Sequence, residues 1–162
     1  MNTCRHAVFS ALLILVFLTL PALSANGAEM QAVARDGVSL RDTPDAKGKE
    51  LWKYNKGFPL EITGSKDNWR KVSDFEGDGG WLRATDLNKE PHMVVRVAKD
   101  TGETAKVNIR KGPGEEYEVV GQAVYGAVFS TLEQRLGWVR VRYVGPDMTV
   151  EGWVKRNLLW GF

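Results

Sequence analysis

Val38-Ser39-Leu40-Arg41-Asp42-Thr43-Pro44 and Val107-Asn108-Ile109-Arg110-Lys111-Gly112-Pro113 lie 69 residues apart and share one pattern. Each alternates apolar and polar side chains, the period of a half-buried strand, and each then runs into a strand-breaking Pro. The same offset sets Leu51 on Val120, Gly57 on Gly126, Leu60 on Phe129, Trp69 on Trp138 and Val72 on Val141. With a three-residue insertion, Gly80-Trp81-Leu82 meets Gly152-Trp153-Val154 and Leu87 meets Leu159. One tripeptide match is noise. Landmarks kept in order across the chain mean a duplication.

Working outward, the chain divides into residues 1–28, a first unit at 29–88, a linker at 89–92 and a second unit at 93–162. Lys89-Glu90-Pro91-His92 is short, polar and stiffened by Pro. Each unit reads as five short strands separated by turns, with no long helical period. The expected fold is all-β, two tandem small barrels. A unit of about 60 residues buries only a modest core.

Residues 1–28 read as a secretory signal peptide. Arg5 gives a basic start, Ala7 to Leu20 is almost unbroken hydrocarbon, and Pro21 precedes Ala22, Ser24, Ala25, Gly27 and Ala28. The apolar run is shorter than the roughly 20 residues a spanning helix needs. The expectation is a secreted, periplasmic chain that meets the membrane only through this peptide. Cys4, the single Cys, leaves with it, so the mature chain has neither thiol nor disulfide.

The repeated residues resemble a known family. V-x-L/I-R-x-x-P, a hydrophobic pair, G before an apolar strand, W-x-x-V, then G-W-L/V with Leu six residues after the Trp, is similar to the bacterial SH3-like domain, SH3b. The second unit carries the pattern more fully; the first has Asp42-Thr43 before its Pro. The resemblance implies two SH3-like β-barrels of five to seven strands. It also implies an extracytoplasmic module that binds peptidoglycan, a peptide or another envelope component.

Thiol, zinc and phosphate-loop chemistry find no footing, and spacing alone leaves a carboxylate pair open as the least favoured reading. A thiol hydrolase needs Cys and His, and the mature chain has no Cys and only His92, in the linker. Zinc needs three or more protein ligands. No phosphate loop is present. Asp74-Phe75-Glu76-Gly77-Asp78-Gly79 starts like a calcium loop, but Thr85 stands where the closing Glu belongs, and the stretch reads as a hairpin turn. No cofactor or metal is expected. With 22 Lys+Arg against 20 Asp+Glu, the net charge of +2 lacks the basic excess of a nucleic-acid binder.

Recognition is left to the six Trp. Trp69 and Trp138 have the opposite strand parity to Val72 and to Val139 and Val141. If the valines fill the barrels, these rings face outward. Aromatic faces stack on sugars and peptides, so Trp69 and Trp138, beside Tyr54 or Tyr125, are the candidate groove. Arg140 and Arg142 form a candidate basic patch for an anionic polymer or a carboxylate. Arg41 and Arg110 are expected to close barrel corners on turn carbonyls. Gly80 and Gly152 are expected to permit close backbone approach or positive φ. The expected function is non-enzymatic binding to peptidoglycan or an envelope peptide; the alternative is a scaffold subunit with no soluble ligand.

Overall fold

The computed structural model describes residues 28–97, 106–145 and 148–162. The signal-peptide reading of the N-terminal residues lies outside the described residues.

Fourteen strands form two sheets of seven. The first holds β1 (Met30–Val33), β2 (Val38–Arg41), β3 (Glu50–Tyr54), β4 (Pro59–Lys66), β5 (Trp69–Ser73), β6 (Gly79–Arg83) and β7 (Leu87–Asn88). The second holds β8 (His92–Val95), β9 (Lys106–Arg110), β10 (Val119–Val124), β11 (Val128–Arg135), β12 (Trp138–Val144), β13 (Thr149–Lys155) and β14 (Leu159–Gly161). Strand order is β3-β2-β6-β5-β4-β1-β7 in one and β10-β9-β13-β12-β11-β8-β14 in the other. The two orders are the same path, so the duplication extends to topology. The fold is all-β, two SH3-like barrels in tandem.

Each unit has seven strands where alternation and turns suggested five. The extra pair is β1 with β7, and β8 with β14, which join antiparallel next to each other. Strands of two to four residues are too short for a period of two to register. His92, read as the end of the linker, opens β8 and is buried.

The repeated residues repeat their structural jobs. The Arg41 guanidinium donates to Gly48 O at 2.7 Å, and that of Arg110 to Tyr117 O at 2.8 Å, each seven residues on. A Cβ on Gly80 would stand 2.6 Å from Arg41 O, and one on Gly152 2.6 Å from Arg110 O. These glycines therefore serve close backbone approach, not positive φ. Gly57 and Gly126 do take positive φ, 83° and 78°, and donate their amides to Val33 O and Val95 O. A register irregularity falls between Ile62 and Gly64 and again between Thr131 and Glu133.

The cores also correspond. Val38, Leu40, Val72 and Leu82 are buried in the first barrel, Val107, Ile109, Val141 and Val154 in the second. Burying each such side chain stabilises by about 1.5–3 kcal/mol. The exchanges compensate in volume: Tyr54 and Leu60 in one barrel stand where Ala123 and Phe129 stand in the other. The Tyr143 ring then packs edge-on against Phe129 at 5.3 Å.

Candidate functional site

The valines do fill the barrels: Val72, Val139 and Val141 are buried, while Trp69 and Trp138 on the opposite parity are half-buried. The Arg83 guanidinium covers the Trp69 ring, 5.0 Å from its centroid, a cation–π contact. Trp69 lines a small depression of about 250 Å³ with Arg35, Arg41 and Asp86. Trp138 pairs through its backbone with Arg135 and Lys155. Trp81 and Trp153 pair with Arg41 and Arg110 at the β2–β6 and β9–β13 seams, where Trp153 is buried and Trp81 half-buried.

Tyr54 and Tyr125 meet a different set of rings. The buried Tyr54 ring lies 4.7 Å from Phe58, Phe58 lies 6.1 Å from Phe75, and Phe75 lies 5.4 Å edge-on to Tyr125 and 6.4 Å from Trp160. This aromatic chain starts in the first barrel and ends in the second. Phe75 sits in the turn between β5 and β6, the stretch that begins like a calcium loop. Asp74 shapes that turn: its Oδ1 accepts the amides of Glu76 and Asp78, both at 3.0 Å. Its Oδ2 accepts the Tyr54 hydroxyl at 2.9 Å. No cluster of metal-ligating side chains occurs among the described residues. The Tyr125 hydroxyl donates to Glu76 Oε1 at 2.6 Å, a second tie between the barrels.

Burial, foremost, and then the charge of Asp74 push the Tyr54 phenol far above its ordinary value. Tyr125 is pushed up to about 12, by desolvation first and then by its bond to Glu76. Both rings are therefore neutral donors at any physiological pH.

Above the aromatic chain a groove of about 570 Å³ opens, with Leu51, Trp52, Tyr54, Phe58 and Phe75 along it and Asp74, Glu76 and Asp78 at its side. Trp52 is 64% exposed and Leu51 46%. The counterparts of Trp52, Tyr54, Phe58 and Phe75 in the second barrel, at the 69-residue offset, are Gly121, Ala123, Ala127 and Val144. A Cβ on Gly121 would meet Met148 and Val150 at about 3 Å, so other side chains cover that surface. The aromatic lining of the groove belongs to one copy of the duplication, and Gly126 of the second barrel borders it.

Of the residues singled out from sequence, Tyr54 lines this groove and Tyr125 flanks it through Phe75 and Glu76. Trp69 and Trp138 stand elsewhere. Arg140 and Arg142 both pair with Glu151, at 3.3 and 2.6 Å, and these bonds, Arg142 first, hold the Glu151 carboxyl below its usual range. Arg142 also lines a second hollow of about 580 Å³ beside His92, Lys56 and Ser130. Strand parity does not select Trp52, Phe58 or Phe75. The signal that points to them is the asymmetry of the repeat, four large aromatics against four small residues.

Residues 34–89 and residues 105–159 each match a family profile described as "Bacterial SH3 domain". A curated relative, "Putative N-acetylmuramoyl-L-alanine amidase YrvJ" of Bacillus subtilis (strain 168), is 25% identical over 136 residues. That match takes in 81% of this chain but 26% of the relative, so the chain spans about a quarter of that protein. Among solved structures, NlpC2 from Trichomonas vaginalis is similar at 14% identity and a TM-score of 0.36 over 85% of this chain and 49% of that one. An NlpC/P60 family protein from Bacillus cereus ATCC 10987 is similar at 16% identity and a TM-score of 0.37 over 83% and 56%.

Proposed function

Because the chain belongs to the bacterial SH3 domain family and carries two of its domains in tandem, we propose that it is a non-enzymatic binding protein of the cell envelope. It works outside the cytoplasm and recognises peptidoglycan through the aromatic groove of the first barrel. The family and the wall-amidase name of a relative support the wall as ligand. The observation that carries the reading is Trp52. A Trp side chain left 64% exposed beside an exposed Leu51, at a groove the sister barrel has lost, is apolar surface held ready for a ligand. An aromatic of that size brings 150–250 Å² to a contact. In the second barrel Gly121 stands in its place, under Met148 and Val150.

The test is cosedimentation of the purified protein with isolated sacculi. The expected result is a sedimented fraction that falls about tenfold in Trp52→Ala, in line with about 1–3 kcal/mol for a stacked aromatic, and is retained in Trp138→Ala. Absence of sedimentation, or equal sedimentation of Trp52→Ala and the parent, overturns it.

A further inference from the structure

The groove's charge is one-sided. Asp74, Glu76 and Asp78 line it, and no Lys or Arg does. None of the three carboxylates is in an ion pair among the described residues. Asp74 and Glu76 accept from neutral donors only, two amides and the phenols of Tyr54 and Tyr125. The Asp78 carboxylate has no side-chain partner among the described residues and stands exposed at the groove's edge. Three negative charges within five residues thus stand without a salt bridge beside four aromatic rings, with the Arg96 charge felt at Tyr125 on the far side of Glu76. Like charges held this close repel one another, and a positive ligand relieves that repulsion. The rings add to the preference, since aromatic faces attract an ammonium and repel an anion. After burial, the same three carboxylates push the Tyr54 phenol upward.

We propose that this groove takes a primary ammonium group, the free side-chain amine of a diamino residue on a peptide stem of the wall. The proposal rests on the wall-binding reading above and sharpens it: the protein reads the peptide, not the glycan. The methylenes of such a side chain pack on Trp52 and Phe75, and its ammonium head reaches Asp78 and Glu76. An anionic wall polymer, the ligand that Arg140 and Arg142 suggested from sequence, is repelled here. A groove of about 570 Å³ has room for such a side chain.

The experiment compares native sacculi with sacculi whose free amines have been acetylated. Acetylation turns each ammonium into a neutral amide and leaves the glycan and cross-links in place. The expected result is a loss of about tenfold in affinity on acetylation, the scale of a desolvated cation–π contact with charge assistance. Asp78→Asn, which removes a charge but no internal bond, weakens binding to native sacculi about threefold and leaves binding to acetylated sacculi unchanged. Undiminished, Trp52-dependent binding to acetylated sacculi overturns the amine proposal while the wall reading stands. Failure to bind native sacculi overturns the wall reading, and the proposal with it.

Discussion

The Tyr125 hydroxyl donates a 2.6 Å hydrogen bond to Glu76 Oε1, from the β10–β11 turn of the second barrel to the β5–β6 turn of the first. Beside it Phe75 packs on both Tyr125 and Trp160. A turn that a linear reading assigns to solvent is thereby a clamp. It fixes the mouth of the groove, because Phe75 and Glu76 both line it. Tyr125→Phe keeps the ring contact and removes the bond, and is expected to cost about 1 kcal/mol or less at this partly exposed site. Scanning calorimetry of the two proteins measures it.

Desolvation of the Tyr125 phenol, and then the same bond, make the junction sensitive to alkali. Tyr125 titrates near 10 when free and at about 12 in the fold, so the folded state holds its proton more tightly. Its stabilising effect is complete below pH 10 and is lost as pH rises toward 12. Phenolate absorbance followed during alkaline titration should show a late step near pH 12 that is missing in Tyr125→Phe. A Tyr125 step at its ordinary value contradicts both the desolvation of its phenol and the bond to Glu76.

At acid pH the Glu151 carboxylate governs a second effect. Its folded value lies below 4.5, chiefly through the bond from Arg142, so its contribution is present above 4.5 and fades as pH falls through the folded value. The carboxylate lies at the surface, and the effect is small and salt-sensitive. Glu151→Gln should flatten the acid limb of the melting temperature against pH. Because Arg142 is occupied by Glu151, Arg142→Ala is expected to leave sacculus binding within about twofold, as befits an exposed ion pair. Loss of binding in that variant would move the site to the second barrel.

Gly80 and Gly152 offer a matched pair. At each, a methyl group would be driven to 2.6 Å from a carbonyl oxygen of the neighbouring strand, Arg41 or Arg110. Backbone cannot swing aside as a side-chain tip does. Gly80→Ala and Gly152→Ala should each destabilise their own barrel by about 1–3 kcal/mol. Urea unfolding followed by Trp fluorescence gives both numbers. A neutral outcome at either site contradicts the strand seam.

How much of this is legible from sequence depends on whether a residue answers to its own barrel or to the other one. Val38, Leu40 and Arg41 act within one strand and its turn, so alternation and the repeated Arg reveal them. Gly80 and Gly152 are marked by recurring before Trp. Phe75 acts across the junction, and nothing local in Asp74-Phe75-Glu76 says that a Tyr 50 residues later will meet it. Strand parity selected Trp69 and Trp138, and parity was right about which way they face. It says nothing of neighbours, and Arg83 already covers one of those rings. Trp52 has no aromatic counterpart in the repeat, where Gly121 stands at the same offset. That difference marks the groove, since a duplicated core is kept for folding and a lone aromatic is not.

Leu136 closes the list of oddities that a substitution can test. It sits in the β11–β12 hairpin turn at φ 45° and is 95% exposed. Asp67 occupies the same place in the first barrel at φ 50°, followed by Asn68 where the second barrel has Gly137. The turn therefore demands a left-handed residue in both copies. Asp tolerates that region because its short polar side chain bonds locally; Leu does not, and pays roughly 1–2 kcal/mol. Its side chain recovers nothing, since it touches water nearly all round. Leu136→Asn should therefore raise the stability of the second barrel by about 0.5–1 kcal/mol, and Leu136→Gly should help less through its looser unfolded chain. Thermal melts of the three proteins decide it. If Leu136→Asn melts no higher than the parent, the strain is not stored at this turn.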